Sequence, residues 1–116
     1  MTDKLFALRP EQIEPLATGR GGCISTDMVT VLGKSVGYMV REPTDRPLDS
    51  GWCFMAGDET QAYMDDTSNH QIYDVNTIAN YCPDIIPLLD APPGSAFARN
   101  PQTGRLDPVP YEAPLE

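Results

Sequence analysis

The spacing of hydrophobic and polar positions changes several times along this chain, and each change marks a predicted element. Gly22 to Ser25, GCIS, reads as a short strand. Ser25 or Thr26 is placed to cap a helix through Asp27 to Leu32, which Gly33 ends. From Val36 to Arg41 the period is two, with Val36, Tyr38 and Val40 on one face and Gly37, Met39 and Arg41 on the other. Trp52, Phe54 and Ala56 repeat that alternation after the ten-residue connection Glu42 to Gly51. The two segments predict an antiparallel pair joined by a long polar loop containing Pro43 and Pro47.

Beyond Gly57 the pattern turns helical in short pieces. Asp58 is placed to cap a helix over Glu59 to Met64, followed by the polar turn DDTSNH, and order resumes at Ile72 and Tyr73. Asp74 is a candidate N-cap for a helix over Val75 to Tyr81, which would place Val75, Ile78 and Ala79 inward and Asn76 and Asn80 outward. Pro83 stops it, and Pro87 leaves room for only a tight turn or two from Asp84 to Leu89. Ile85, Ile86, Leu88 and Leu89 form an apolar plug there. Ser95 to Arg99 and Arg105 to Val109 are strands joined by a Thr103-Gly104 turn. Residues 1–21 read as an N-terminal extension, with a helical turn or two around Pro10 to Ala17 and with Leu5, Phe6, Leu8, Ile13 and Leu16 to dock on the body. Residues 110–116 read as a loose tail. The sum is an α+β fold: a single compact domain, mainly antiparallel sheet, with a few short helices and many Pro/Gly turns.

Composition sharpens that picture. At 116 residues with 41% hydrophobic content the chain supports one core, and twelve prolines and nine glycines argue against a helical bundle. No apolar run reaches the roughly 18 residues of a membrane span, and the start, MTDKLFALRPEQIEPLATG, has no signal-peptide pattern. A cytoplasmic location is expected. Cys23, Cys53 and Cys82 are odd in number and widely spaced, so they read as reduced, partly buried small hydrophobes.

Charge is distributed unevenly. Pro47 to Ala98 holds no lysine or arginine but eight carboxylates: Asp49, Asp58, Glu59, Asp65, Asp66, Asp74, Asp84 and Asp90. They supply −8 of the formal net charge of −9. Nucleic acid is disfavoured as a partner, because phosphate neutralisation by lysine and arginine supplies most of such affinity. Acids interleaved with aromatics suit a basic protein partner instead, since aromatic side chains anchor interfaces and charge steers encounter. The candidate partner-binding residues are Trp52, Asp58, Glu59, Tyr63, Asp65, Asp66 and Asp74. Each has a structural alternative: Trp52 on an alternating strand packs inward, and Asp58 and Asp74 serve as caps.

Chemistry is sparse. The one histidine, His70, lies in a polar turn, and nothing in the spacing places Ser25, Ser50, Ser95 or a cysteine beside it, so no catalytic residue is assigned. The acidic stretch DETQAYMDD lacks the ligand alternation, glycine and terminal glutamate of a calcium loop, and no phosphate-cradling glycine motif occurs, so neither metal nor cofactor is expected.

The series CIS, VGYMVREP, DSGWCFMAGDE, YMDD and IYDVNTIANYCPDIIPLLDAPPGSAF resembles the bacterial immunity proteins of polymorphic toxin systems, over about residues 22–109. The resemblance implies a cytoplasmic α+β domain that binds and neutralises a cognate toxin, without activity or cofactor of its own. It supplies no shared set of binding residues. Ser50, Gly51, Trp52, Gly57, Asp58 and Glu59 of its motifs are as compatible with building the fold as with binding. The competing reading is a small housekeeping or regulatory binding module unrelated to a toxin.

Overall fold

The alternating segments pair into one six-stranded sheet in the computed structural model, which describes residues 6–45 and 48–111. Its strands are β1 (Gly22–Thr26), β2 (Tyr38–Arg41), β3 (Asp49–Met55), β4 (His70–Asp74), β5 (Ser95–Arg99) and β6 (Leu106–Val109). They lie side by side in the order β4-β1-β3-β2-β5-β6. The central pair β1 and β3 is parallel and every other pairing is antiparallel. The predicted hairpin of β2 and β3 is present, with Tyr38 opposite Met55 and Arg41 opposite Trp52.

Helices α1 (Asp27–Thr30) and α3 (Val75–Tyr81) cover one face of the sheet together with the 3-10 turns of Pro83–Leu88. Alternation along the strands directs Cys23, Met39, Trp52, Phe54 and Phe97 into this layer, where they meet Val29, Val75, Ile78, Ala79, Ile85 and Leu89. The intervening residues Ile24, Cys53, Val40 and Ala96 therefore form a row on the opposite, helix-free face, continued by Ile72 on the edge strand β4. Asp74 caps α3 as expected, its carboxylate accepting from the Asn76 amide at 2.9 Å. The Pro83-Pro87 segment forms short 3-10 turns, because Pro87 cannot donate to a longer α-helical ladder.

The SGW motif is a joint in this sheet. Gly22 pairs with Asp49 and Ile24 with Cys53, so β3 spends four residues where β1 spends two, and the excess bulges at Ser50 and Gly51. Ser50 Oγ donates to the Gly22 carbonyl at 2.5 Å and accepts from the Trp52 amide at 3.1 Å. Gly51 has φ +83°, and a Cβ there would lie 2.2 Å from the Glu42 carbonyl oxygen. Gly51→Ala is therefore expected to lower stability by at least about 2 kcal/mol, read as a drop in the thermal midpoint.

Several expectations need correction. The helix after β3 is α2 (Gln61–Asp65), and its cap is Thr60, whose side chain accepts from the Tyr63 amide at 3.1 Å. Asp58 does not cap it, because the Glu59 carboxylate folds back on residues 56 and 57 and delays the helix. The polar turn runs straight into a strand, β4, paired along its whole length with β1. Among the described residues of the N-terminal segment only Pro10–Gln12 is helical, as one 3-10 turn. Asn76 and Asn80 do not simply face solvent. Asn76 Oδ1 accepts from the amides of Leu16 and Ala17, both at 2.8 Å, and Asn80 Oδ1 accepts from that of Glu14 at 2.9 Å. Both side-chain amides donate back to the Glu14 carbonyl. This clamp, with the Phe6 ring edge-on to Tyr73, straps the N-terminal segment across α3. Leu5 and residues 112–116 of the tail fall outside the described residues.

Candidate functional site

Trp52 is only 2% exposed. Its ring stacks on Phe54 at 5.9 Å between centroids, contacts Phe97 and lies beneath the Arg41 guanidinium. Its indole Nε1 donates to the Leu89 carbonyl at 3.3 Å, which satisfies the one polar atom of a buried ring. No ring surface is left for a partner.

Glu59 is likewise committed inside the molecule. One carboxylate oxygen accepts from Thr26 Oγ1 at 2.5 Å and from the Ala56 amide at 2.8 Å, and the other accepts from the Gly57 amide at 2.8 Å. The GDE motif thus ties the end of β3 to the junction of β1 and α1. Tyr63 turns toward α1; partial burial, with the Asp27 and Glu59 carboxylates adding, raises its phenol above the usual value.

Arginines and a lysine from outside the acidic run neutralise part of it. Asp58 pairs with Lys34 at 2.9 Å, Asp90 with Arg20 at 2.6 Å, and Asp84 with Arg99. The hydrogen bond and charge of Lys34 hold the Asp58 carboxyl below its ordinary range. The other five, Asp49, Glu59, Asp65, Asp66 and Asp74, form no ion pair among the described residues. The four exposed ones, all but Glu59, divide between two places. Asp65 and Asp66 lie at the α2 end, just before β4 begins, and Asp49 and Asp74 lie at the far end, either side of Gly22. The length of β4, roughly 13 Å, separates the groups. Asp58, Glu59, Tyr63, Asp65 and Asp66 all lie between the end of β3 and the start of β4, but Asp58 turns to Lys34 while Glu59 and Tyr63 turn toward β1 and α1; Asp74 lies at the other end of β4 and Trp52 is buried.

Arg99 joins several elements. It donates to the Val36 carbonyl through Nε and Nη2, to the Gly104 carbonyl at 2.8 Å, and to Asp84, which also accepts from the Cys82 thiol at 2.7 Å. The Arg99 hydrogen bond, followed by that of Cys82, keeps the Asp84 carboxyl below its ordinary value. The native state then binds fewer protons here than the unfolded chain. This contribution is complete above the ordinary carboxylate value near 4 and is lost as pH falls through the folded value. Asp84→Asn is expected to flatten the acid limb of a thermal-midpoint profile taken from roughly pH 6 down to pH 3.

The thiols sit in surroundings that oppose reactivity. Burial, reinforced by Glu42 and Glu59, pushes Cys53 up to about 12, and burial also raises Cys23 and Cys82. His70 opens β4 with its Nε2 at 3.2 Å from the Met64 carbonyl oxygen. No described helix is long and apolar enough to cross a membrane.

Residues that sequence reasoning passed over lie on the helix-free face. Ile24, Cys53, Leu48, Ile72, Glu42 and Asp49 line an open groove of about 440 Å³. The signal was present in the strand alternation, which sends Cys23 inward and Ile24 outward, but an exposed isoleucine in isolation carries no information.

Comparison with known proteins gives one family. The model described as Immunity protein Imm33 domain matches residues 23–109. No curated protein and no solved structure matches the chain.

Proposed function

As the chain belongs to the Imm33 immunity-protein family, we propose that it binds a cognate protein toxin in the cytoplasm and neutralises it by occlusion, without chemistry of its own. The observation that carries this reading is the family match over residues 23–109, the portion that builds all six strands apart from the first residue of β1. The placement of the carboxylates supports an acidic binding surface. Asp49, Asp65, Asp66 and Asp74 sit on the surface with no ion pair among the described residues. Trp52 and Glu59 are committed to the fold, so the surface acids rather than these two residues meet the partner. A basic toxin is drawn to such a surface, and neither nucleic acid nor an anionic membrane is.

Co-purification with the product of the neighbouring reading frame tests the binding. The association rate of the pair is expected to fall about tenfold or more between low and physiological salt, measured by stopped flow. A rate insensitive to salt contradicts the acidic surface, and failure to associate with a verified toxin contradicts the immunity reading.

A further inference from the structure

We propose that the groove on the helix-free face of the sheet is a docking site for an extended, cationic segment of a protein partner. The proposal deepens the immunity reading, on which it rests only for the statement that the partner is the toxin. Adjacent strands in register put Asp74, Gly22 and Asp49 in one row across β4, β1 and β3, and Ile72, Ile24 and Cys53 in the next. Gly22 contributes no side chain to its row, and the Asp74 carboxylate is engaged in capping α3, so Asp49 is the acid of that row that lines the groove. A Cβ on Gly22 would already touch Ile72 Cγ2 at 3.7 Å and the Leu48 carbonyl oxygen at 3.6 Å.

The groove thus has an apolar floor and an acidic end. Leu48 and Ile72, 83% and 77% exposed, are the most exposed large hydrophobic side chains among the described residues, and Ile24 is 41% exposed between them and the core. Glu42, from the loop after β2, and Asp49 stand in the wall with no ion-pair partner among the described residues. Asp49 accepts from the Gly51 amide at 2.9 Å, which fixes its carboxylate in place. A lysine or arginine fits this arrangement as a whole: its methylene stem lies on Ile24 and Ile72 while its head group reaches Glu42 and Asp49. An apolar neighbour on the same segment covers Leu48.

Charge selects the occupant. A second copy of this chain brings the same acids to the same place and a net charge of −9, so self-docking sets like charges against each other. Anionic nucleic acid and lipid surfaces are repelled for the same reason. A basic protein segment is the occupant that both the apolar floor and the acidic wall attract.

The test titrates the isotopically labelled full chain with a capped peptide of alternating arginine and valine, followed by amide NMR shifts. Shifts centred on Ile24, Leu48, Asp49 and Ile72 are expected. Binding should weaken by about tenfold or more in the double variant Glu42→Gln/Asp49→Asn, and again in Ile72→Ser. Asparagine keeps the acceptor for Gly51, and Ile72 is exposed, so both variants should fold; unchanged spectra outside the groove verify that. Shifts centred instead on Asp65 and Asp66, affinity unchanged in the variants, or equal binding of a glutamate-valine peptide would overturn the site. So would sedimentation showing a dimer that Ile72→Ser dissolves. The same variants are then measured against the purified toxin. Wild-type affinity in all of them would overturn the groove as the toxin interface and leave the immunity reading standing. A toxin that fails to bind even the wild type would end the immunity reading, with the peptide result judged separately.

Discussion

Trp52→Ala is expected to destabilise the protein by about 3–5 kcal/mol, the range for removing a large aromatic side chain from a packed core. The loss is not of apolar area alone. Phe54 and Phe97 lose the ring between them, the Leu89 carbonyl loses its indole donor, and Arg41 loses the face it covers. Trp52→Phe should fall between the two, because a smaller ring preserves part of the stack and none of the hydrogen bond. Trp52 is the one tryptophan, so unfolding in urea is best followed by circular dichroism. A variant of unaltered stability that nevertheless loses toxin binding would reverse the assignment and make Trp52 a contact residue.

Glu59→Ala should cost about 2–4 kcal/mol, although glutamate is ordinarily a surface residue. Three donors converge on its carboxylate: Thr26 Oγ1 and the amides of Ala56 and Gly57. Thr26 is fully buried, so its hydroxyl has no ready substitute acceptor in water. Glu59→Gln retains an acceptor oxygen at the right length but not the charge, and a loss of about 1–2 kcal/mol follows. The affinity for the toxin, measured well below the unfolding transition, should be preserved in both variants. Loss of affinity at full stability would place Glu59 in the interface.

Strand alternation made most of this fold legible. Trp52 to Ala56 was identifiable because β3 buries every second residue, and Val36 to Arg41 because it is rich in β-formers, although Met39 and Val40 on opposite faces of β2 are both buried. Asp74 announced α3 for a similarly local reason, a capping carboxylate directly before an apolar helical stripe. The edge strand β4 was not legible, because HQIYD lies at the rim and only Tyr73 packs on the core, so its pattern is weak. Nor was the parallel pairing of β1 with β3, which depends on a bulge at Ser50 and Gly51 that no periodicity encodes.

The acid surplus was plain in composition, but its meaning depended on tertiary neighbours. Lys34, Arg20 and Arg99 come from outside the basic-free run to pair with three of its members, and Glu59 turns inward. Asn76 and Asn80 illustrate the same limit. Their spacing of four places two amides on one helix face, but a partner for them, the strap at Glu14 to Ala17, lies some 60 residues away in sequence. Motif residues that carry the family likeness, Ser50, Gly51, Trp52 and Glu59, emerge as builders of the sheet and its turns. The surface they support is where recognition is expected.

The most direct measurement of the central claim is protection. The candidate toxin from the neighbouring reading frame is expressed in a host without other immunity genes, with and without this chain, and colony survival is counted. Survival restored by the wild-type chain to the level of cells that make a catalytically inert toxin, with a stable complex recovered from the protected cells, is the predicted result. Cells that die equally with and without the chain, although both proteins are made and folded, would contradict it.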